Sequence, residues 1–352
     1  MKKIFYNYLI RKNIKSLIPY SSARIEFKGK ASIFLDANEN SYGSPLYACS
    51  YNRYPDPFQK KLKNKISKIK NISKKNIFLG NGSDEIIDLI YKIFCRPGID
   101  NSIICEPTYG MYEVSARINE INIIHIPLTK KYQPNIKLIN SYITKYSKLI
   151  FLCSPNNPTS NNFDLEKINN IINFFPGIIV IDEAYIDFSK KKSFLEKIKK
   201  YKNIIILQTL SKAWGLAGLR IGIAFAYAEI INFFNKIKHP YNISEVSQEI
   251  ALKALKNKKL FKYRIQLILE ERERLYKNLL KFNFIKNIYP SSSNFLFIKF
   301  KNSEKIYNYL IKNGVVIRNR SNMIKCKNCL RITIGTVKEN NILINKLNNI
   351  KF

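Results

Sequence analysis

The chain has 352 residues and carries 60 lysines and arginines against 25 aspartates and glutamates, a formal charge of +35. An apolar share of 46% is ordinary for a packed core, and the length allows one large domain with a smaller one. The charge raises nucleic acid or a membrane surface as partners, but the lysines are scattered among asparagine and isoleucine along the whole chain, which fits solvated faces better than a binding patch.

In chain order, Met1–Ile10 holds too short an apolar core for a secretory leader, and Arg11 and Lys12 interrupt it. No apolar stretch is long enough to span a bilayer, so a cytoplasmic protein without membrane or nucleic-acid partners is expected. A short basic helix is followed by Pro19-Tyr20, a strand-like Ile33–Leu35 and the polar turn Asp36-Ala-Asn-Glu-Asn40. Asn52-Arg-Tyr-Pro-Asp-Pro57 is a second turn. A charged helix from Phe58 to Ile69 leads into the apolar run Ile77–Leu79. Gly80-Asn-Gly-Ser-Asp84 then opens a helix whose apolar positions, Ile86, Ile87, Leu89, Ile90, Ile93 and Phe94, form one face. A glycine turn opening a helix suits an anion by geometry, although a merely capped helix has the same pattern. Ile103–Cys105 and Ile121–Ile126 read as strands, with Tyr109 just beyond the end of the first.

Three apolar runs then repeat a rhythm. Leu149–Leu152 ends in Ser154-Pro-Asn-Asn-Pro-Thr159, Ile178–Ile181 in Asp182-Glu-Ala-Tyr185, and Ile204–Leu207 in Ser211-Lys212. The ends fall about 30 residues apart, the length of one βαβ unit. Continuous β-branched runs fit strands buried on both faces. Right-handed crossovers place their carboxyl ends along one edge, where open α/β sheets bind ligands, so Asn157, Asp182, Tyr185 and Lys212 are expected to converge. A lysine just past a buried strand suits an amine held in a pocket, Gly215 and Gly218 let backbone approach a ligand, and Arg220 supplies a fixed cation. Ser211, Lys212 and Arg220 together point to pyridoxal phosphate held as a Schiff base; a surface lysine beside a glycine turn is the plain alternative.

Residues 228–283 read as helical, with Glu270-Glu-Arg-Glu-Arg-Leu275 on an exposed interdomain helix. The pattern then becomes α+β: strands at Asn294–Phe300, Val315–Arg318 and Arg331–Ile334, and a helix capped by Ser303 and ended by Gly314. This places a domain boundary near residue 265. Of Cys49, Cys95, Cys105, Cys153, Cys326 and Cys329, only the last two form a C-x-x-C pair, with neither a second pair nor nearby histidine. All six read as ordinary thiols, and no metal site is expected.

Seven segments in order resemble the histidinol-phosphate aminotransferase family of fold-type I pyridoxal-phosphate enzymes: Leu35-Asp-Ala-Asn-Glu39, Asn52-Arg-Tyr-Pro55, Pro107-Thr-Tyr-Gly110, Ser154–Thr159, Asp182–Tyr185, Ser211-Lys212 through Gly218-Leu-Arg220, and Leu330-Arg-Ile-Thr333. The resemblance implies an α/β large domain at 48–264, with a mostly parallel seven-stranded sheet flanked by helices, and a smaller α+β domain formed by both chain ends, 1–47 with an N-terminal arm and 265–352. It implies that Lys212 carries the cofactor and moves the substrate proton, that Asp182 pairs with the pyridine N–H, and that Asn157 and Tyr185 bond the ring oxygen. Tyr109 would stack on the ring. Gly82, Ser83, Asp84, Ser211 and Arg220 would hold the cofactor phosphate, with Tyr54 reaching the neighbouring subunit of a homodimer. Arg331, with Arg318 and Tyr20 nearby, would hold either the carboxylate of glutamate or the phosphate of histidinol phosphate. The implied reaction is transamination between L-histidinol phosphate and 2-oxoglutarate in histidine biosynthesis. Related threonine-phosphate decarboxylases and aromatic aminotransferases share the cofactor set. Ser160 departs from the family, which usually has glycine there; a positive φ at that position would cost a serine on the order of 1 kcal/mol.

Overall fold

Isoleucine-rich runs become buried strands. In the computed structural model, which describes residues 9–26, 29, 32–46 and 51–350, seven of them make a mostly parallel sheet with strand order β1-β7-β6-β5-β4-β2-β3. They are β1 (Ile77–Asn81), β2 (Asn101–Glu106), β3 (Asn122–Pro127), β4 (Ser147–Cys153), β5 (Ile178–Asp182), β6 (Ile204–Thr209) and β7 (Ile221–Ala226). β8 (Ile285–Ile288), β9 (Phe295–Phe300), β10 (Arg318–Asn319) and β11 (Cys329–Thr333) form a second, antiparallel sheet in the order β10-β11-β9-β8. The α/β class expected from the βαβ rhythm is the one observed. β7 and β8 are absent from the sequence reading: Gly222 breaks the apolar run of the first, and Lys286-Asn287 the second.

By contact density the chain divides into two units, one running to Arg96 and including Leu195–Asn257, the other comprising Pro97–Phe194 and the residues from Lys258 onward. In the first unit β1 and β6 both pair antiparallel with β7. Its helix Gly82–Phe94 buries the face predicted from the spacing, and its first turn carries Asp84 and Glu85 where the positive end of the helix dipole favours them. Phe78 of β1 stacks on Phe234 of the helix Ala228–Ile237, ring centroids 4.9 Å apart. Ile33–Leu35 is not a strand: Ile33 and Leu35 are exposed, and with no partner strand among the described residues an extended run gains no ladder bonds. Cys49 and the start of the N-terminal helix candidate lie outside the described residues.

In the second unit β5, β4, β2 and β3 run parallel, covered by the helices Met111–Ile118, Ile136–Tyr142 and Leu165–Phe174. The antiparallel sheet has its own core. Leu296, Ile298, Phe300, Leu330 and Ile332 turn one face toward Leu275, Leu279, Ile306, Leu310 and Leu343 of three helices. The helix Lys258–Leu279 is less exposed than expected. Glu271 is buried, accepting from Arg274 Nε at 2.8 Å and Asn340 Nδ2 at 2.9 Å, and these bonds hold its carboxyl below the usual range. Asn302, not Ser303, caps the next helix, its Oδ1 accepting from Lys305 N. The Val315–Arg318 run enters the sheet only at Arg318, since its apolar end Ile317 turns into the core.

Two lysines of the first unit, Lys63 and Lys238, are buried. Burial, and for Lys63 also the charge of Lys238, pushes each amine down to about 8. Such an amine costs stability while it is charged, below pH 8, and the cost fades as pH rises from 8 to the ordinary 10.5. Lys63→Met is therefore expected to raise the urea midpoint at pH 7, with the gain shrinking toward pH 10.5. An unchanged or lower midpoint at pH 7 would show that Lys63 carries no such cost.

Candidate active site

The first unit builds a tight glycine cradle. Gly82 begins its helix at φ +76°, a conformation that a side chain resists. The Arg220 guanidinium lies against it so closely that a Cβ at Gly82 would overlap the guanidinium. From the other side, a Cβ at Gly222 of β7 would collide with the Gly82 carbonyl carbon and Ser83 N. Gly82 N donates to Arg220 O at 2.7 Å, and Arg220 Nη2 meets Asp84 Oδ2 at 3.1 Å. First-turn N–H groups, here those of Ser83 and Asp84, have no acceptor within a helix, so this end presents donors and positive potential together. Ser211 sits just past β6, its N–H donating to Thr209 Oγ1 at 3.0 Å. Lys212 follows in a turn whose Gly215 N donates to Lys212 O at 3.0 Å. Lys212 is exposed, not enclosed as the sequence reading expects, because the strand ends at Thr209 and the turn carries the lysine outward.

Tyr54 and Tyr20 belong to the same unit. Tyr54 is half exposed and stacks on Tyr241 at 4.4 Å, while its N–H donates to Glu39 Oε1 at 2.7 Å. Glu39 also pairs with Arg53 at 2.7 Å, which fixes the turn that presents the tyrosine. Tyr20 is exposed and lines a cavity of about 840 Å³ with Phe58, Leu89 and His239.

The second unit gathers the remaining candidates: Tyr109, Asn157, Asp182, Tyr185, Arg318 and Arg331. Asp182, at the carboxyl end of β5, is buried, and its Oδ1 accepts from Ala184 N at 2.9 Å. Its Oδ2 accepts from Tyr112 Oη at 2.6 Å. Tyr112 is fully buried, stacked on Phe151 at 4.7 Å and edge-on to Tyr109 at 5.6 Å. Burial and the Asp182 carboxylate push the Tyr112 phenol well above its ordinary value, so it stays a donor. Sequence reasoning misses Tyr112. Its place three residues after Tyr109, on a helix opening beyond β2, is the signal that could have found it.

Asn157 and Arg331 are directly bonded, Arg331 Nη1 donating to Asn157 Oδ1 at 2.7 Å. Arg331 also lies over the Phe295 ring at 5.2 Å, and Tyr185 meets the same ring edge-on at 5.1 Å. Burial pushes the Tyr185 phenol up, an effect that Arg331 partly offsets, and pushes the Arg331 guanidinium down. Arg318 is exposed and stands opposite Arg331 in the β10–β11 ladder. Elsewhere in this unit Glu106, Glu113 and His125 place ligand atoms within 4.8 Å of one another, but Glu113 already pairs with Arg117 and Glu106 with His125.

Residues 46–347 match the sequence profile described as aminotransferase class I and II. The chain belongs to this aminotransferase family. Among its relatives, a histidinol-phosphate aminotransferase of Parabacteroides distasonis is 49% identical over 97% of this chain and 98% of its own length. One of Flavobacterium psychrophilum is 50% identical over 99% of each. The crystal structure of the histidinol-phosphate aminotransferase from Clostridium acetobutylicum superposes with a TM-score of 0.78 at 27% identity, covering 85% of this chain and 92% of that one. The Sinorhizobium meliloti histidinol-phosphate aminotransferase, solved in complex with pyridoxal-5'-phosphate, shares the fold at 22% identity, with a TM-score of 0.77 over 88% of each chain.

The loop after β4 shows how this aminotransferase accommodates Ser160. The residue is fully buried at φ +63°, and its hydroxyl donates to Thr159 O at 2.6 Å. Its carbonyl accepts from Ser292 N at 2.8 Å. Only glycine relieves the left-handed backbone, so Ser160→Gly is expected to be more stable than Ser160→Ala by about 1 kcal/mol in urea titrations; equal stabilities would mean the loop carries no such strain. Tyr112→Phe leaves the buried Asp182 carboxylate one donor short. It is expected to cost about 1–3 kcal/mol in the same measurement. An unchanged midpoint would mean that another group takes the donor's place.

Proposed function

We propose that the chain is a pyridoxal-phosphate-dependent transaminase acting between L-histidinol phosphate and 2-oxoglutarate, giving imidazole acetol phosphate and L-glutamate, in L-histidine biosynthesis. The observation that carries this reading is 49–50% identity, over 97–99% of the chain, to relatives named histidinol-phosphate aminotransferase. The residues fit the cofactor. A cradle too tight for any side chain at Gly82 or Gly222, flanked by Arg220 and helix N–H groups, suits its phosphate. A buried carboxylate already fixed by Tyr112 and Ala184 suits its pyridine N–H.

When bound, pyridoxal phosphate supplies an electron sink for the C–H bond beside the substrate nitrogen. Every other task falls to side chains. Gly82, Ser83, Asp84, Ser211 and Arg220 would hold the phosphate, and Asp182 would pair with the ring N–H. Tyr109 covers the ring, while Asn157 and Tyr185 donate to its oxygen. Lys212 would hold the cofactor and, with its amine free, would move the proton at the substrate Cα. Arg331 grips the anionic end of each substrate in turn, since a planar fork of donors suits carboxylate and phosphate alike. Arg318 and Tyr20 assist it. The reading extends to a cytoplasmic homodimer in which Tyr54 of one subunit serves its neighbour's phosphate. It also assigns a large domain at 48–264, with the chain ends forming the small one; the separate hydrophobic core around β8–β11 supports that division.

The test is spectroscopic. Purified protein supplied with pyridoxal phosphate is expected to show a visible absorbance band that L-histidinol phosphate removes and 2-oxoglutarate restores. Release of carbon dioxide would instead mark a decarboxylase, a chemistry named for one structural neighbour, the L-threonine-O-3-phosphate decarboxylase of Porphyromonas gingivalis (TM-score 0.72, 21% identity). Lys212→Ala is expected to lower turnover by roughly 100- to 10,000-fold or more; retained turnover would remove Lys212 from its role.

A further inference from the structure

The face of the antiparallel sheet turned away from its helices carries three arginines. Arg318 and Arg331 are register partners across β10 and β11, so their side chains leave the sheet on the same side. Arg320 lies two residues beyond Arg318, and its N–H donates to Cys329 O at 3.0 Å, continuing the ladder. With the two-residue period of a strand, it shares that side. Leu330 and Ile332, of opposite parity, face the helical core.

These cations have no carboxylate among them. Among the described residues, no hydrogen bond or ion pair involves the side chain of Arg318 or Arg320, and Arg331 bonds only the neutral Asn157. Arg320 is half-buried, and its Nε, like that of Arg331, is buried without a partner. Burial and the charges of Arg331 and Arg318 push the Arg320 guanidinium down, while the Tyr185 phenol opposes this. Like charges directly opposite in a ladder are destabilising, and a buried guanidinium donor without an acceptor adds to the cost. A multiply charged anion with several acceptor oxygens would compensate both.

We propose that Arg320 is a specificity-determining residue of this aminotransferase, binding the phosphomonoester dianion of the amino donor more strongly than the monoanionic carboxylate of the co-substrate. The proposal rests on the transaminase reading given above, in which Arg331 serves both anions. A tetrahedral dianion can accept from three guanidinium forks, whereas one carboxylate is satisfied by one bidentate fork. Arg320 thus adds to the affinity for one substrate far more than for the other.

The test uses the cofactor-loaded enzyme and two variants, Arg320→Gln and Arg320→Lys. Arg320→Gln is expected to lower kcat/KM for L-histidinol phosphate roughly 10- to 100-fold, while the glutamate half-reaction changes less than about threefold. Arg320→Lys should recover part of the loss. The phosphate ester takes up its second proton near pH 6, and the parent enzyme should lose kcat/KM below that pH more steeply than Arg320→Gln. Calorimetric binding of inorganic phosphate to the loaded enzyme should weaken in parallel. Thermal unfolding should show no loss of stability, since a repulsive charge is removed. Equal losses on both substrates, or full retention on the phosphate substrate, would overturn the proposal. If the parent enzyme turned over no histidinol phosphate, the transaminase reading would fail first. The phosphate calorimetry would then decide whether Arg320 belongs to an anion site at all.

Discussion

A carboxylate taken out of water has to be bonded or it takes up a proton, and the second unit is built around that demand at Asp182. The parallel strands bring the residue to a carboxyl end, where Ala184 N donates to one oxygen and Tyr112 to the other. Tyr112 can do so only because Phe151 beneath it and Tyr109 beside it fix its ring. The helix that carries Tyr112, the strand that carries Phe151 and the turn after β5 are thereby tied to one charged atom pair. The Ala184 N–H and the Tyr112 hydroxyl both donate to Asp182, so the buried carboxylate joins three separate elements through its hydrogen bonds.

Opposite economies govern the two regions proposed to hold anions. In the first unit the cradle around Gly82 works by removal of side chains: Gly82 and Gly222 make room for Arg220 and for bare N–H groups. On the β10–β11 face the sheet instead accumulates bulk and charge, with three guanidiniums on one side of two short strands. Backbone donors at a helix end are rigid and fit one shape. Arginine forks on flexible stems adapt to more than one anion, which a reaction with two dissimilar substrates requires. The large formal charge of the chain contributes little to either. Many of its described lysines are simply exposed to solvent, and the cations at the two regions are a handful of arginines, of which only Arg220 has a carboxylate, Asp84, beside it.

Much of this was legible in the sequence, and the limits have physical causes. The isoleucine runs declare β4, β5 and β6 because a strand covered on both faces has no polar positions to confuse the pattern. The helix from Gly82 is equally plain, with its period, its acidic first turn and its glycine start. β7 is obscured by Gly222, whose lack of a side chain serves the helix packed against it and not the strand itself. The N-terminal Ile33–Leu35 looks like a strand and is not one, since sequence pattern cannot reveal that no strand among the described residues lies alongside. Asp182, Asn157 and Arg331 stand out by their motifs. The bond between Asn157 and Arg331 does not, because it joins residues 174 apart in the chain. Tyr112 hides for another reason: a buried tyrosine on an amphipathic helix looks like any core aromatic until its hydroxyl partner is known.

The cysteines have a practical consequence. Cys95, Cys105, Cys153, Cys326 and Cys329 are all buried. Burial lifts the thiols of Cys105 and Cys326 to about 12 and that of Cys329 to about 11, so at neutral pH they are almost wholly protonated as well as shielded. Alkylating reagents need both access and a thiolate, and the native chain denies them both at these positions. Cys95, Cys105, Cys153, Cys326 and Cys329 are spread through both units, so the order in which they are modified becomes a clock of which region opens first, kept by the protein without any added label.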